Sequence, residues 1–297
     1  MTELQPGTLA TLRFSHKAPF GYFLTDGDQE ILLHENDTNH AIKEEEEVRV
    51  FLYQDHQGRL AATQRIPDIR IGIYNWAPVV SQHKKYGVFV DIGISKDILL
   101  SKDDLTDPWQ EWPAAGDQVY CSLQLDKKER LFAKLADESI ISLITVPASG
   151  DCLNKETDAR VYRFVPDGFH VLTTEGWRGF LHENETKGQL RLGEQVHVRV
   201  IDQKENGTIN LSMIPRTYER IDQHAELILQ YLDTRDGAMP YWDKSLPEDI
   251  KSRFQMSKGD FKKAIGKLMK EKKVYQKDGW TYRKADVSVE KATDSEK

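Results

Sequence analysis

One pattern occurs three times in this chain of 297 residues and constrains its fold more than any other feature. Each copy begins with an aromatic-rich segment that contains a glycine, and a short apolar segment follows it. The three pairs of segments are residues 20–24 with 32–36, residues 86–90 with 98–101, and residues 168–172 with 179–184. Self-similarity of this kind indicates a chain built from repeated structural units. Because both segments have the composition of β-strands, the repeat predicts a string of small β-barrels.

The other residues of each repeat complete a set of five short strands. Alternating polar and apolar residues, separated by turn residues, give five strands in roughly sixty residues, which is the spacing of a small closed barrel. In the third unit the Asn206-Gly207 pair predicts a tight hairpin. An apolar run at residues 140–146 is expected to form a packing helix or strand before a linker. The predicted barrels occupy residues 1–65, 66–146 and 147–215.

The C-terminal part of the chain has a helical period instead. Ser245 and Ser257 each stand three residues before an acidic residue, as in a helix capping box. The Asp278-Gly279 pair predicts a two-residue hairpin turn. Three helices followed by a hairpin predict an α+β winged helix-turn-helix domain at residues 216–285, and residues 286–297 are expected to be a disordered tail. The third helix has an apolar stripe formed by Phe261, Ala264, Ile265, Leu268 and Met269.

The charge of the chain is unevenly distributed. The net charge is −7, but residues 214–284 carry 16 Lys and Arg against 11 Asp and Glu. Residues 1–213 carry 23 against 33. A basic C-terminal domain on an acidic body is compatible with phosphate contact at one end of the chain.

Several function classes lack support in the sequence. No window approaches the roughly 20 consecutive apolar residues of a membrane helix, and no secretion signal is visible. The two cysteines, Cys121 and Cys152, stand in no CxxC pattern, so they are expected to be cytoplasmic thiols. We find no nucleotide-binding loop, catalytic motif or metal-spaced cluster, and we expect no cofactor, no metal and no enzyme activity. A hydrolase whose groups converge only in the fold stays open as an alternative.

The three β-units resemble S1-type RNA-binding domains, which are OB-fold barrels. The hallmark of that domain is a Phe-Gly-x-Phe strand followed by a short strand that ends in histidine. The first unit has Phe20, Phe23 and His34 at these places, whereas the third has Asp167 and His170 in the aromatic positions and keeps His182. The second has Tyr86 and Phe89, with Leu100 expected at the histidine position.

Three such domains followed by a winged helix resemble the conserved virulence factor B (CvfB/YitL) family of bacterial proteins. The resemblance covers about residues 6–284, and the order of the domains is more specific than any single motif. It implies a regulator that acts on RNA after transcription or during translation.

The S1-like faces supply the first set of candidate RNA-binding residues. Aromatic side chains stack on bases, the glycine would let a nucleotide backbone approach, and nearby cations are expected to meet phosphates. The alternative is that Phe23, Phe89 and Tyr22 are interior side chains, and that His34 and His182 are capping or loop residues. The candidates are Phe20, Phe23, His34, Arg13, Tyr86, Phe89, Lys84, Lys85, His170 and His182, with Lys17 beside them.

The winged helix supplies a second set, directed at phosphates. Its basic helix face carries Lys258, Lys262, Lys263, Lys267 and Lys270, and its hairpin carries Lys277, Trp280 and Arg283. Lysine reads base edges poorly, so contact through this face is expected to be independent of sequence. The alternative is an ordinary solvated lysine face.

Three functions without catalysis remain open from the sequence. The main hypothesis is a cytoplasmic regulator that binds single-stranded RNA through the barrels and the basic helix. The second is a DNA-binding transcriptional regulator that uses the winged helix, although that helix lacks the Arg, Asn and Gln of base readout. The third is a scaffold that binds ribosomes or RNA-processing proteins through its acidic barrels. No membrane partner is expected.

Overall fold

The computed structural model describes residues 4–284 with the exception of residue 107. The chain divides into two compact units between Met213 and Ile214. Within the described residues, the first unit contains three closed five-stranded barrels and the second a small helical domain with a three-stranded sheet. This confirms the predicted mainly-β fold class. The tail predicted at residues 286–297 lies outside the described residues.

Barrel 1 closes through one parallel and four antiparallel strand pairs. The strand order is β1-β2-β3-β5-β4, β1 pairs with β4 to close the barrel, and β3 pairs in parallel with β5. Its strands are β1 Leu9–Ala18, β2 Gly21–Thr25, β3 Glu30–His34, β4 Glu47–Gln54 and β5 Leu60–Thr63.

Barrels 2 and 3 repeat this order, so the sequence repeat corresponds to a structural one. In all three barrels the first strand has an irregularity in register, between Phe14 and His16, Val79 and Ser81, or Val161 and Arg163. The strands of barrel 2 are β6 Asn75–His83, β7 Gly87–Val90, β8 Ile98–Ser101, β9 Gln118–Leu125 and β10 Leu131–Leu135. Those of barrel 3 are β11 Glu156–Val165, β12 Gly168–Thr173, β13 Arg178–His182, β14 Gln195–Gln203 and β15 Ile209–Ser212.

Strand alternation determines which side chains fill each barrel. On β2, Tyr22 and Leu24 are buried, whereas Phe23 between them is only partly buried. On β3, Ile31 and Leu33 are buried in the same way. Because successive side chains of a strand point to opposite faces, Phe23 belongs to the outer surface of barrel 1.

The hydrophobic core of barrel 2 extends into barrel 1. Phe51 and Tyr53 of β4 pack in the same buried cluster as the interior of barrel 2. The Tyr53 hydroxyl donates to the buried carboxylate of Asp37 at 3.0 Å and lies 2.9 Å from Ser95 of barrel 2. The first two barrels therefore share both apolar and polar contacts.

Barrels 2 and 3 are joined by an ion pair and backbone hydrogen bonds. Arg191 donates to both carboxylate oxygens of Asp117, at 2.8 and 3.1 Å, and Asp117 is buried. The amide of Gln118 donates to the carbonyl of Gly193 at 3.1 Å. Between these barrels the apolar run predicted as a helix or strand forms α1 Glu138–Ile144.

The second unit has the element order of a winged helix. Four residues of its predicted apolar stripe are buried, namely Phe261, Ala264, Ile265 and Leu268. The prediction was wrong for Met269, which is 40% exposed near the end of the helix. The predicted cap at Ser257 is confirmed, because its hydroxyl accepts from the Asp260 amide at 3.0 Å. Its elements are α2 Thr217–Asp233, β16 Ala238–Met239, α3 Pro247–Phe254, α4 Lys258–Lys270, β17 Val274–Lys277 and β18 Trp280–Arg283.

The capping box predicted at Ser245 is wrong. Helix α3 begins after Leu246 with Pro247 in its first turn, and no side chain caps it. Proline suits this position because its missing N–H would have no partner within the helix. The Ser245 hydroxyl instead accepts from the Trp242 amide at 2.9 Å.

Candidate nucleic-acid interface

Barrel 1 carries an accessible aromatic cluster on its outer face. The β1–β2 register places His16 beside Phe23, and their rings stack with centroids 4.7 Å apart and planes 14° from parallel. Phe20, just before β2, has 46% of its surface exposed. His34 ends the neighbouring strand opposite Gly21. The predicted residues Phe23 and His34 thus lie on adjacent strands, Phe20 directly precedes the first of them, and His16 joins the group.

His16 was missed in the sequence because it lies on the first strand, outside the Phe-Gly-x-Phe pattern. Only the strand pairing brings it to Phe23. Its Nδ1 also lies 3.2 Å from the Glu30 carboxylate. Glu30 therefore holds one edge of the His16 ring, while the His16 side chain stays about half exposed to solvent.

The repeated position of the glycine in the three barrels has a structural cause that differs from the expected one. A Cβ added at Gly21 would collide with the Leu33 carbonyl oxygen and lie 2.9 Å from the Cα of His34. Gly87 and Gly168 face the corresponding carbonyls of Leu100 and Leu181. The space beside each glycine is filled by the adjacent strand, so the expectation that the glycine admits a nucleotide backbone is wrong.

His34 and His182 cap the short 3-10 turns that follow their strands. Nδ1 of His34 accepts from the Asn36 amide at 3.2 Å, and Nδ1 of His182 accepts from the Asn184 amide at 3.1 Å. A neutral imidazole that accepts at Nδ1 carries its proton on Nε2. Each ring therefore has a donor remaining while it caps the turn, so the capping and binding interpretations are compatible.

The position expected at Leu100 in barrel 2 was wrong by one residue. Ser101, not Leu100, pairs with Gly87, as His34 pairs with Gly21. Ser101 also caps the following turn by accepting from the Asp103 amide at 3.3 Å. Leu100 is fully buried. Barrel 2 thus has a serine at the histidine position.

The open question of core or surface has one answer for Tyr22 and another for Phe23 and Phe89. Tyr22 is buried in the interior of barrel 1. Phe23 and Phe89 occupy equivalent outward positions on β2 and β7 and are partly buried. Accessible surface at both remains for contact with a ligand.

Barrel 2 presents a second group of rings and cations. Tyr86, 46% exposed, stacks on His83 with ring centroids 4.5 Å apart, and the Lys85 ammonium lies 5.2 Å from its ring. The Lys84 ammonium lies 4.0 Å from the centre of the Trp109 ring. Trp109, from a tryptophan-containing loop, was not among the predicted site residues. Phe89 lines a separate groove of about 460 Å³ between barrels 1 and 2.

Barrel 3 places His170 where barrel 1 has Phe23. His170 is partly buried, and that burial lowers the pKa of its ring. Phe180 on β13 lies beside it, with ring centroids 6.2 Å apart. The side chain of Glu138 from α1 contacts this face. The predicted His170 and His182 are therefore accompanied by an aromatic ring and by an acidic neighbour.

The cations predicted beside the face of barrel 1 have neighbours of their own. Arg13 donates to the Glu47 carboxylate at 3.2 Å. The Lys17 ammonium lies 5.9 Å from the ring of Tyr22. Glu47 therefore offsets the positive charge of Arg13, which the sequence-based prediction had counted as available.

Helix α4 divides its lysines into exposed and paired residues. Lys262, Lys263 and Lys270 are exposed, and Lys258 is partly buried. Lys267 pairs with Asp222 of α2 and with Glu271, and its contact with Asp222 raises its pKa. Lys267 thus ties α4 to α2.

The hairpin after α4 shows the same division. Lys277 and Trp280 are exposed on β17 and β18. Arg283 lies further along β18 and pairs with Asp233 at 3.1 Å. The exposed residues at the end of the hairpin are the ones that a ligand can reach without breaking an ion pair.

Within the described part of the chain, no group of three or more His, Cys, Asp or Glu side chains is arranged to hold a metal ion. Cys121 is buried, and this burial raises the pKa of its thiol to about 12. A thiol with this pKa is a poor nucleophile at neutral pH. None of the helices in residues 4–284 is long and apolar enough to cross a membrane.

Family models match the chain in the order of its domains. A model described as "S1 domain" matches residues 6–65, and one described as "CvfB first S1-like domain" matches residues 74–134. "Virulence regulatory factor CvfB, second domain" matches residues 141–215, and "CvfB-like winged helix domain" matches residues 226–282.

Two relatives are similar to the chain over most of its length. A Bacillus subtilis (strain 168) protein named "Uncharacterized protein YitL" is 48% identical over 282 residues, which is 95% of each chain. "Conserved virulence factor B" from Staphylococcus epidermidis is 40% identical over 228 residues, or 76% of each chain. The chain belongs to the conserved virulence factor B family.

A solved structure extends the family comparison to three dimensions. The crystal structure of a multidomain protein with nucleic acid binding domains from Streptococcus pneumoniae is 34% identical in sequence. The match covers 94% of this chain and 98% of that one, with a TM-score of 0.66. Three S1-like barrels and a winged helix are therefore the architecture of this member of the conserved virulence factor B family.

Proposed function

We propose that this member of the conserved virulence factor B family is an RNA-binding regulator that holds single-stranded RNA on the outer face of barrel 1. The observation that carries the proposal is the stacked pair of His16 and Phe23, with the exposed ring of Phe20 and the capping His34 on neighbouring strands. Accessible rings on strands two and three of an OB-fold are the arrangement used for unpaired bases.

Stacking rather than charge carries the affinity of the barrels. Residues 1–213 have ten more acidic than basic side chains, so phosphates gain little from the barrels as a whole. Stacking of a base on an aromatic ring contributes about 1–3 kcal/mol, and every base has a face to offer. The Nε2–H group of His34 adds a directional hydrogen-bond donor beside the rings.

The exposed lysines of α4 supply the phosphate contacts. Lys262, Lys263 and Lys270 project from a helix whose opposite face is the buried core of the winged helix. Because α4 contains no Arg, Asn or Gln, it offers none of the bidentate contacts that read base edges. The helix therefore adds affinity that depends on salt and is independent of sequence.

The biological role that follows is post-transcriptional control of gene expression in the cytoplasm. Sequence-tolerant stacking with lysine contacts suits unpaired segments of transcripts. Binding to ribosomes or to RNA-processing proteins is a further prediction of this role.

Duplex DNA is the second candidate ligand, because α4 is placed in its domain as a recognition helix would be. The absence of base-reading side chains disfavours a sequence-specific transcriptional regulator. The same binding assay that tests the RNA proposal separates the two ligands.

The test is fluorescence anisotropy with labelled oligo-U, oligo-A and duplex DNA over a salt series. We expect the wild-type chain to prefer the single-stranded RNAs. Replacement of Phe20→Ala with Phe23→Ala should weaken that binding about fivefold to 150-fold, which is the loss of roughly 1–3 kcal/mol of stacking. The melting temperature should change little, because Phe20 is exposed and Phe23 points out of the core.

Tyr218→Ala, which removes an aromatic side chain that is 57% exposed on α2, is the matched control and should bind as the wild type does. Equal or stronger binding of duplex DNA by the wild type would contradict the proposal. So would unchanged RNA affinity in the double variant.

A further inference from the structure

Two arginines stand on barrel 3 where barrel 1 has a histidine and a glutamate. Strand register makes Arg163 the counterpart of His16, and Arg178 the counterpart of Glu30. In barrel 1 this pair is complementary, with His16 Nδ1 3.2 Å from the Glu30 carboxylate. In barrel 3 both positions are cationic, so the barrel does not supply its own counter-charge there.

The counter-charge comes from outside the barrel, from the first residue of α1. Arg178 donates to Glu138 Oε1 at 2.7 Å, and Arg163 donates to Oε2 at 3.5 Å. The Tyr162 hydroxyl donates to Oε1 at 3.2 Å. Nδ1 of His170 lies 3.7 Å from Oε2. Four side chains of barrel 3 thus surround one carboxylate that belongs to the segment between the barrels.

These four side chains form a donor set suited to a phosphate. Two guanidinium groups and a phenol offer N–H and O–H donors to oxygen atoms, and arginine binds phosphate and carboxylate with the same geometry. The site is accessible, because the side chains of Arg163 and Arg178 are 55% and 36% exposed. A phosphate oxygen can therefore make the contacts that the Glu138 carboxylate makes.

The position of the site on the fold indicates which phosphate it would take. Phe180 stands next to His170 at the place that Leu32 holds beside Phe23 in barrel 1. Its ring lies edge-on to both His170 and His182, with centroids 6.2 and 6.1 Å away. An aromatic ring beside a cationic pair is the combination that holds a base and its phosphate in single-stranded nucleic acids.

We propose that Arg163, Arg178, Tyr162 and His170 form a phosphate-binding subsite for single-stranded RNA on barrel 3, and that the Glu138 carboxylate occupies it in the free protein. The inference rests on the proposed function, since it assigns a second contact point for the same ligand. RNA binding then exchanges one anion for another, and the affinity of the wild type includes the cost of displacing Glu138.

Glu138→Gln tests this exchange, because the amide keeps the size of the side chain and removes its charge. Measured by anisotropy with labelled oligo-U, its affinity should rise about two- to fivefold, the range expected for release of a partly exposed ion pair. Adding Arg178→Gln to Glu138→Gln should abolish the gain. It should also reduce the slope of log K against log salt concentration by about 0.7, the value for one phosphate contact on a single strand.

Glu156→Gln is the matched control. It removes the same charge from an exposed position at the start of β11, where Glu156 lies 3.5 Å from His197. A general electrostatic effect would raise the affinity of both glutamate variants equally and would overturn the proposal. Thermal melts of all variants measure whether the ion pairs of Glu138 serve only to hold α1 against barrel 3. A lowered melting temperature without any gain in affinity would overturn the proposal as well.

The failure of this inference can be distinguished from failure of the proposed function. If the wild type binds oligo-U through Phe20 and Phe23 while Glu138→Gln brings no gain, only the subsite on barrel 3 is refuted. If neither the wild type nor Glu138→Gln binds oligo-U, both proposals are refuted.

Discussion

At the scale of single residues, one glycine per barrel allows the second and third strands to close together. Gly21, Gly87 and Gly168 each lie against a backbone carbonyl of the neighbouring strand, where a side chain has no room. In barrels 1 and 3 the residue paired with the glycine is a histidine that caps the next turn, and in barrel 2 it is Ser101. The glycine therefore fixes the position of the side chain that is paired with it at the end of the third strand.

Gly21→Ala is expected to destabilise the first unit, because the added Cβ would collide with the Leu33 carbonyl oxygen. Gly27→Ala is the matched control, since Gly27 also has a positive φ but has nothing within 4 Å of an added Cβ. Gly27→Ala should lower the free energy of unfolding in urea by about 1 kcal/mol through backbone strain. Gly21→Ala should lower it by about 2 kcal/mol more, because of the collision. Equal losses would show that the close approach of the two strands has no energetic weight.

At the scale of elements, helix α4 uses its lysines for two purposes. Its buried face carries the core of the winged helix, and its outer face carries Lys263 and Lys270. Lys267, only one turn from Lys263, lies at the edge of the packed face and pairs with Asp222 of α2. Lysines that look equivalent in the sequence therefore differ in whether a ligand can use them.

Lys263→Gln and Lys267→Gln test this difference with the same change of charge on the same helix. Lys263→Gln is expected to weaken RNA binding and to reduce the slope of log K against log salt concentration by about 0.7. Lys267→Gln should leave the slope nearly unchanged and lower stability by at most about 1 kcal/mol, because its partner Asp222 is largely exposed. Identical salt slopes for the two variants would contradict the assignment of Lys263 as a phosphate contact.

At the scale of the whole molecule, the three barrels are joined by different kinds of contact. Barrels 1 and 2 share a hydrophobic cluster that includes Phe51 and Tyr53. Barrels 2 and 3 depend more on the pair of Arg191 and the buried Asp117. A buried carboxylate that loses its partner is costly, because its negative charge is then left without an ion-pair partner.

Arg191→Ala is therefore expected to lower the stability of the first unit by about 2–3 kcal/mol. Arg130→Ala is the control, since Arg130 pairs with Asp126 within one exposed hairpin at 2.7 Å. That change should cost at most about 1 kcal/mol. Urea unfolding of the full chain, followed by tryptophan fluorescence, measures both. A loss from Arg191→Ala no larger than that from Arg130→Ala would mean that the pair does not hold barrels 2 and 3 together.

Much of the fold follows from local patterns in the sequence. Alternation within strands, the Asn-Gly and Asp-Gly turns and the helical stripe from Phe261 to Leu268 predict three barrels and a winged helix, because each depends on neighbouring residues. The sequence also identified Phe20, Phe23 and His34 as a group, since Phe20 directly precedes the strand that carries Phe23 and His34 ends the next strand. Assignments that require pairing between strands were less secure, and the displacement from Leu100 to Ser101 shows this.

By itself, the sequence determined the repeated barrels and the aromatic pattern of the first one, since strand alternation and turn type depend on residues that are neighbours in the sequence. Only the tertiary structure decided which charges are free. Glu138 meets Arg178 forty residues away, Lys267 meets Asp222 forty-five residues away, and His16 meets Phe23 across a strand pair. The physical reason is that an ion pair or a ring stack depends on distances of a few ångströms, which are fixed by strand register and helix packing rather than by local sequence.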